Sequence, residues 1–223
     1  MRKITQNRVA ILLIAFLISG VTFAQERPFR FSLGGGFLAG MATSDVELFE
    51  NSGIRFRDTD FWSFGGWVFA DARFVELSAG FTGGPWDIER GVVVGDDRYE
   101  DFSKQNGMFT AIDLNLLGKY PFVLGNSNTT LFPLLGVGYN LVTSARLDGE
   151  RFNNPSDLSV FKMNLGVGSD FALSENMFLR LQLLGHYRFA SDAEQNYRIA
   201  SSLQGTSHGG FGGTLRVAIG FKL

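Results

Sequence analysis

Apolar and polar residues alternate with a period of two along most of the chain beyond its first two dozen positions, and that period predicts β-strands. Phe29, Phe31, Leu33, Gly35, Phe37 and Ala39 share one parity, and Arg30, Ser32, Gly34 and Gly36 the other. Val75, Leu77, Ala79 and Phe81 alternate with Glu76, Ser78, Gly80 and Thr82. Ile112, Leu114, Leu116, Gly118 and Tyr120 alternate with Asp113, Asn115 and Lys119, with Leu117 as an exception. Phe161, Met163, Leu165, Val167 and Phe171 oppose Lys162, Asn164, Gly166, Gly168 and Asp170. Leu179, Leu181, Leu183 and Tyr187 oppose Arg180, Gln182, His186 and Arg188, and the last run sets Leu215 to Leu223 against Arg216, Ala218, Gly220 and Lys222. Two runs are less regular. Residues 131–141 place Phe132 and Leu134 on the glycine face, and residues 61–71 carry aromatics on both faces. With these, eight strands are expected, and no stretch has a 3.6-residue period.

The connections fall into two length classes. Residues 43–60, 84–107, 145–158 and 191–207 are long and polar, whereas 71–73, 122–128 and 173–176 are short. Long loops on one rim and tight turns on the other are the arrangement of a transmembrane barrel. The expected fold is therefore all-β, an eight-stranded antiparallel up-and-down transmembrane barrel.

The N-terminus reads as a secretory leader. Arg2, Lys3 and Arg8 precede the apolar run Ile11–Ile18, and Thr22 and Ala24 suit a small-residue cleavage site. Residues 1–24 are expected to be a signal peptide and 25–223 the barrel domain. Losing the three cations takes the formal charge from −2 to −5, which argues against nucleic acid as a partner. The chain has no Cys, and so neither disulfides nor thiol chemistry.

Alternation by itself is compatible with a soluble sandwich; the second face decides. It is rich in glycine (Gly34, Gly36, Gly80, Gly136, Gly138, Gly166, Gly168, Gly220), which suits a narrow barrel interior and would weaken an ordinary solvated strand. The apolar sets contain no Lys or Arg, whose cost at the bilayer midplane is about 2–4 kcal/mol. Phe29, Trp62, Trp86, Tyr120, Phe122, Phe171, Tyr187, Phe189 and Phe221 lie toward strand ends, where interfacial aromatics belong.

With "AIDLNLLGKYPF" at 111–122, "FPLLGVGYNL" at 132–141, "NLGVGSDFALSENMFLRLQLL" at 164–184 and the closing "LRVAIGFKL", the chain resembles the small outer-membrane barrels of the OmpX/OmpA-transmembrane-domain type, within the porin family of outer-membrane proteins. The resemblance covers 25–223. It implies an outer-membrane location, lipid as the surrounding partner, and the barrel-assembly machinery and periplasmic chaperones as assembly partners. Such proteins usually end in Phe; here Leu223 is last and Phe221 stands two before it, and this pair is the expected assembly signal.

The inward face is expected to hold Arg30, Lys119, Lys162, Arg180, Arg188, Arg216 and Lys222 against Glu76, Asp113 and Asp170, an excess of four cations. Unpaired charge is expensive in a poorly hydrated interior, so the first reading is a structural salt-bridged plug, for instance Arg216 with Asp113. The alternative is an anion-preferring or small-solute path, which would make the protein a narrow channel or transporter for small or apolar solutes. His186 is a candidate for lipid-modifying catalysis, but its parity points inward and no Ser stands two residues on. His208, beside Ser207, reads as loop surface. Asp96-Asp97 and Asp148-Gly149-Glu150 lack the ligand spacing of a calcium loop. No catalytic, metal or cofactor residue is assigned. The function expected is a structural or surface-interaction role carried by the long loops, with envelope integrity, adhesion or host-factor resistance as its forms, and an extracellular ligand reached through those loops.

Overall fold

The computed structural model describes residues 31–50, 53–93, 99–123, 128–151, 153–189, 204–207 and 209–223. The expected leader, Phe29, Arg30, Asp96, Asp97 and His208 lie outside the described residues. The strands are β1 (Phe31–Glu50), β2 (Gly53–Ala72), β3 (Val75–Val93), β4 (Tyr99–Lys119), β5 (Phe122–Val123), β6 (Thr129–Leu147), β7 (Glu150–Arg151), β8 (Val160–Ala172), β9 (Met177–Arg188), β10 (Gln204–Ser207) and β11 (Gly210–Lys222).

Eight of these close a barrel in the order β1-β2-β3-β4-β6-β8-β9-β11, every neighbour antiparallel, with β1 pairing β2 on one side and β11 on the other. The two-residue strands β5 and β7 add to β6, and β10 adds to β1. The registers carry Phe31 through Ala72, Val75, Gly118, Leu135, Leu165, Gly185 and Gly213 back to Met41, ten residues further along β1. A stagger of that size accompanies a strand tilt of roughly 40°. Closure matters because it leaves no unpaired strand edge for hydrocarbon to face.

The connections differ from the expectation at the long-loop rim. The β1–β2 ladder continues to Glu50 opposite Gly53, and β3–β4 to Val93 opposite Tyr99. Much of 43–60 and 84–107 is therefore hairpin rather than loop. Their polar composition was legible, but beyond the lipid both faces of a strand can be wetted, so polarity there does not separate strand from coil. At the other rim the β2–β3 turn lies at Arg73-Phe74, with Arg73 in the left-handed region (φ 43°) and Asp71 still inside β2. Residues 173–176 form a turn as expected.

The two faces separate cleanly. Outward stand Phe37, Val68, Phe81, Leu135, Leu165 and Leu215, each more than half exposed. Inward stand Ser32, Glu76, Asp113, Lys162, Arg180 and Arg216, each buried. Ambiguous positions are resolved by parity: Trp67, Phe69 and Asp71 on β2, Leu117 on β4, and Phe132 and Leu134 on β6 all point into the lumen, while Trp62 and Phe64 point out. Trp86 corrects one expectation. It is not an interfacial aromatic: it is 1 % exposed inside the barrel, stacked on Phe61 at 5.6 Å and donating from Nε1 to the Arg146 carbonyl at 3.0 Å.

Exposed and half-buried aromatics form two belts. Near the short-turn rim are Phe31, Phe74, Tyr120, Phe122, Phe171 and Phe221, with Tyr120 against Phe122 at 4.7 Å. Near the hairpin rim are Trp62, Phe64, Tyr139, Phe161, Tyr187, Phe189 and Phe211, including the ring pairs Tyr139–Phe161 and Tyr187–Phe211. Ten residues of a strand tilted by roughly 40° rise about 25 Å, the height of the apolar band of a transmembrane barrel. Such a band on a closed sheet belongs in lipid, and it places the protein in an outer membrane.

Candidate functional site: the charged lumen

The lumen is filled in tiers. In the tier nearest the short-turn rim, the Arg180 guanidinium is 1 % exposed and reaches three carboxylates. Its Nε and Nη2 donate to Asp170 Oδ1 and Oδ2, both at 2.7 Å, Nη1 donates to Glu76 Oε2 at 2.8 Å, and Nη2 also donates to Asp71 Oδ2 at 2.6 Å. Lys119 Nζ pairs with the same Asp71, and Gln182 Nε2 donates to the same Glu76 oxygen at 2.8 Å. Buried charges this close are tolerable because each has partners of opposite sign and formed hydrogen bonds.

Three rings surround the Arg180 guanidinium: Phe69 at 4.3 Å, Phe178 at 5.0 Å and Phe132 at 5.3 Å. A desolvated guanidinium over aromatic faces gains cation–π attraction. Each ring also lies over one glycine. A Cβ built on Gly34 would overlap the Phe69 ring, one on Gly168 the Phe132 ring, and one on Gly220 the Phe178 ring. The glycine-rich inward face is thus the space that lets three phenylalanines and an arginine fit in one cross-section.

In the next tier Asp113 is the hub. Lys162 Nζ lies 2.5 Å from its Oδ1, Arg216 Nη2 donates to its Oδ2 at 3.2 Å, and Asn115 Nδ2 donates to Oδ2 at 3.0 Å. Asn164 extends the chain to Asn115 at 3.1 Å, and Arg216 also donates to Ser78 at 3.2 Å and lies 5.0 Å from the Trp67 ring.

Toward the hairpin rim is a cavity of about 70 Å³, with Asp113, Lys162 and His186 among its polar lining and Phe61, Trp86 and Phe109 among its apolar lining. At about 10–15 Å³ per water this admits a handful of waters and nothing the size of a metabolite. Arg188 also borders it, 4.5 Å from the Phe61 ring. His186 Nδ1 and Arg216 Nε have no hydrogen-bond partner among the described residues.

Of the residues singled out in sequence, Glu76, Lys119, Asp170 and Arg180 meet in the first tier, and Asp113, Lys162 and Arg216 in the second. His186 and Arg188 lie at the cavity, and Lys222 is half-buried at the short-turn end. Phe221 and Leu223 point outward, 51 % and 76 % exposed. Asp71 was missed, because 71–73 reads as a turn. Parity with Trp67 and Phe69 gave no signal, since residues 61–71 carry aromatics on both faces.

No family model matches the chain, and no curated protein matches it. Among solved structures it is similar to the outer membrane protein OprG of Pseudomonas aeruginosa, at 15 % identity over 88 % of this chain and 97 % of that one, with a TM-score of 0.46. It is also similar to Neisserial surface protein A, at 12 % identity over 85 % and 99 % with a TM-score of 0.42, and to the outer membrane protease OmpT of Escherichia coli, at 9 % identity over 89 % and 99 % with a TM-score of 0.46.

Proposed function

We propose that this outer-membrane β-barrel is a sealed scaffold whose role is structural or one of surface interaction, carried by the hairpins that rise beyond its outer aromatic belt. The supporting observation is the Arg180 tier. Side chains from β2, β3, β6, β8 and β9 converge there at hydrogen-bond or ring-contact distance. Opening a path through it would strip an arginine of three carboxylates. A solute entering the cavity from the hairpin side meets Asp113, Lys162 and Arg216 and then this plug. The sealed reading is thereby favoured over the channel.

Catalysis is not part of the proposal. A general base is oriented by a hydrogen bond to the ring nitrogen opposite its nucleophile, and His186 Nδ1 has no such partner among the described residues. The 1–24 leader and the Phe221/Leu223 assembly signal, read by the assembly machinery and its chaperones, belong to the same proposal.

Refolded protein in planar bilayers tests it: no stepwise conductance is expected, and reproducible single-barrel steps would overturn it. Replacing 88–105 by a tight turn, which leaves Trp86 in the lumen, is expected to abolish cell-surface interactions while the shift between unboiled and boiled gel migration persists. Surface interactions that survive this and equivalent shortening of 43–60, 145–158 and 191–207 would refute the hairpin role.

A further inference from the structure

Arg146 and Arg151 stand directly opposite each other in the β6–β7 hairpin, and both are exposed. A β-bulge sets their direction. The β4–β6 register shifts between Thr110 and Ala111, so that Ser144 opposes Thr110 while Val142 opposes Ala111. The extra residue, Thr143, reverses the parity of everything after it on β6. Ala145 consequently turns inward, 1 % exposed in the cluster with Trp86 and Val142, and Arg146 turns outward. A bulge is a means of re-aiming a side chain, and here it presents a cation to the lipid side of the wall.

The outward neighbours fix the level. Arg146 is opposite Met108, which is 57 % exposed, and Met108 is opposite Pro85. Below them Thr110 and Thr143 share a 3.0 Å hydrogen bond on the same face, and Leu141 and Tyr139 follow. Arg146 lies five and seven residues beyond Leu141 and Tyr139, and with the bulge residue discounted the remaining four to six rungs correspond to about 10–15 Å above the aromatic belt at roughly 40° of tilt. That is headgroup height, next to apolar surface.

Neither guanidinium has an ion pair or side-chain hydrogen bond among the described residues. Two nearby acids are engaged elsewhere: Asp148 accepts from Asn106 N at 3.1 Å and Gln105 Nε2 at 3.0 Å, and Asp87 pairs with Lys104 at 3.1 Å. Like charges directly opposite on a ladder are destabilising unless something neutralises them. Two guanidinium forks side by side match the oxygens of one phosphate group, which Arg binds bidentately. Outward from the barrel at that height lies the headgroup layer of the outer leaflet.

We propose that Arg146 and Arg151 form a clamp for a phosphate of the phosphorylated glycolipid in the outer leaflet. The test uses the full chain refolded in phosphatidylcholine vesicles carrying diphosphorylated lipid A, the same lipid with its phosphates removed, or inorganic phosphate in the buffer. Lipid retention is read by native mass spectrometry, and the temperature at which the compact unboiled band disappears is read on gels. Phosphorylated lipid A is expected to bind wild type and raise that temperature. Arg146→Gln and Arg151→Gln are each expected to weaken binding roughly tenfold, one charge-assisted hydrogen-bonding partner apiece. Arg146→Lys with Arg151→Lys is expected to restore part of the binding, and Lys104→Gln to leave it intact. Full binding by the double glutamine variant, or equal binding of the dephosphorylated lipid, would overturn the clamp. An equal thermal gain from inorganic phosphate would overturn the glycolipid as its occupant.

Discussion

Arg180 on β9 and Asp71 at the end of β2 are 109 positions apart in sequence and 2.6 Å apart in the lumen, joined by an Nη2–Oδ2 hydrogen bond. Neither belongs to a strand adjacent to the other, so the pair crosses the barrel. Because Arg180 also holds Glu76 and Asp170, one side chain ties β2, β3, β8 and β9 together.

Removing that side chain is expected to be costly. Arg180→Met leaves three carboxylates with only Lys119 and Gln182 beside them, and breaking a buried pair on one side costs about 3–5 kcal/mol. Urea titration in lipid vesicles, followed by tryptophan fluorescence, should show a markedly lower midpoint. An unchanged midpoint would refute a structural role for the network.

Glycine replacements should sort by which face they occupy. Gly168→Ala drives a methyl into the Phe132 ring and is expected to cost about 1–3 kcal/mol through overpacking. At Gly185, on the outward face, the nearest atom to a new Cβ is the Leu165 carbonyl oxygen at 3.7 Å, so Gly185→Ala should change little. Equal effects at the two sites would contradict the packing described.

Charge placed on the outer wall tests the lipid orientation. Leu183 is 57 % exposed between the two aromatic belts, and Leu183→Arg is expected to lower stability in vesicles by about 2–4 kcal/mol. The sequence has no cysteine, so single-cysteine nitroxide labels at 165 and 182 can be compared directly. The label at Leu165 should be relaxed by lipid-soluble oxygen and the one at Gln182 should not; the reverse would invert the barrel.

The bulge on β6 makes a separate prediction. Deleting Thr143 alone closes the bulge and keeps Ala145 inward and Arg146 outward, whereas deleting Thr143 and Ser144 together places Ala145 opposite Thr110 on the outer wall and turns Arg146 into the aromatic cluster of Trp86 and Phe109. Burying an unpaired guanidinium there should lower the urea midpoint far more in the double deletion than in the deletion of Thr143 alone. Similar midpoints for the two would mean that strand parity beyond the bulge does not set the direction of Arg146.

The order of faces was written in the sequence. A period of two needs only local geometry, and wherever one face is purely apolar and the other purely polar or glycine, as in 75–82 and 161–171, parity assigns lipid and lumen without further information. Strand number, antiparallel order and the inward aim of Glu76, Asp113, Lys162, Arg180 and Arg216 follow from that. Where both faces are apolar, parity is silent: Trp67 and Phe69 equal Trp62 and Phe64 in the sequence, and only the structure sets the Phe69 ring beside Arg180 and the Trp67 ring beside Arg216. Only the tertiary structure decided which charges meet, because that depends on the ten-residue stagger, a property of the closed sheet and of no single strand. It also decided that Asp71 joins the plug, that Trp86 is a lumen residue and that Arg146 faces out. Each of these turns on the position of a turn or a bulge by one residue, and with a side-chain period of two, one residue is the difference between lipid and lumen.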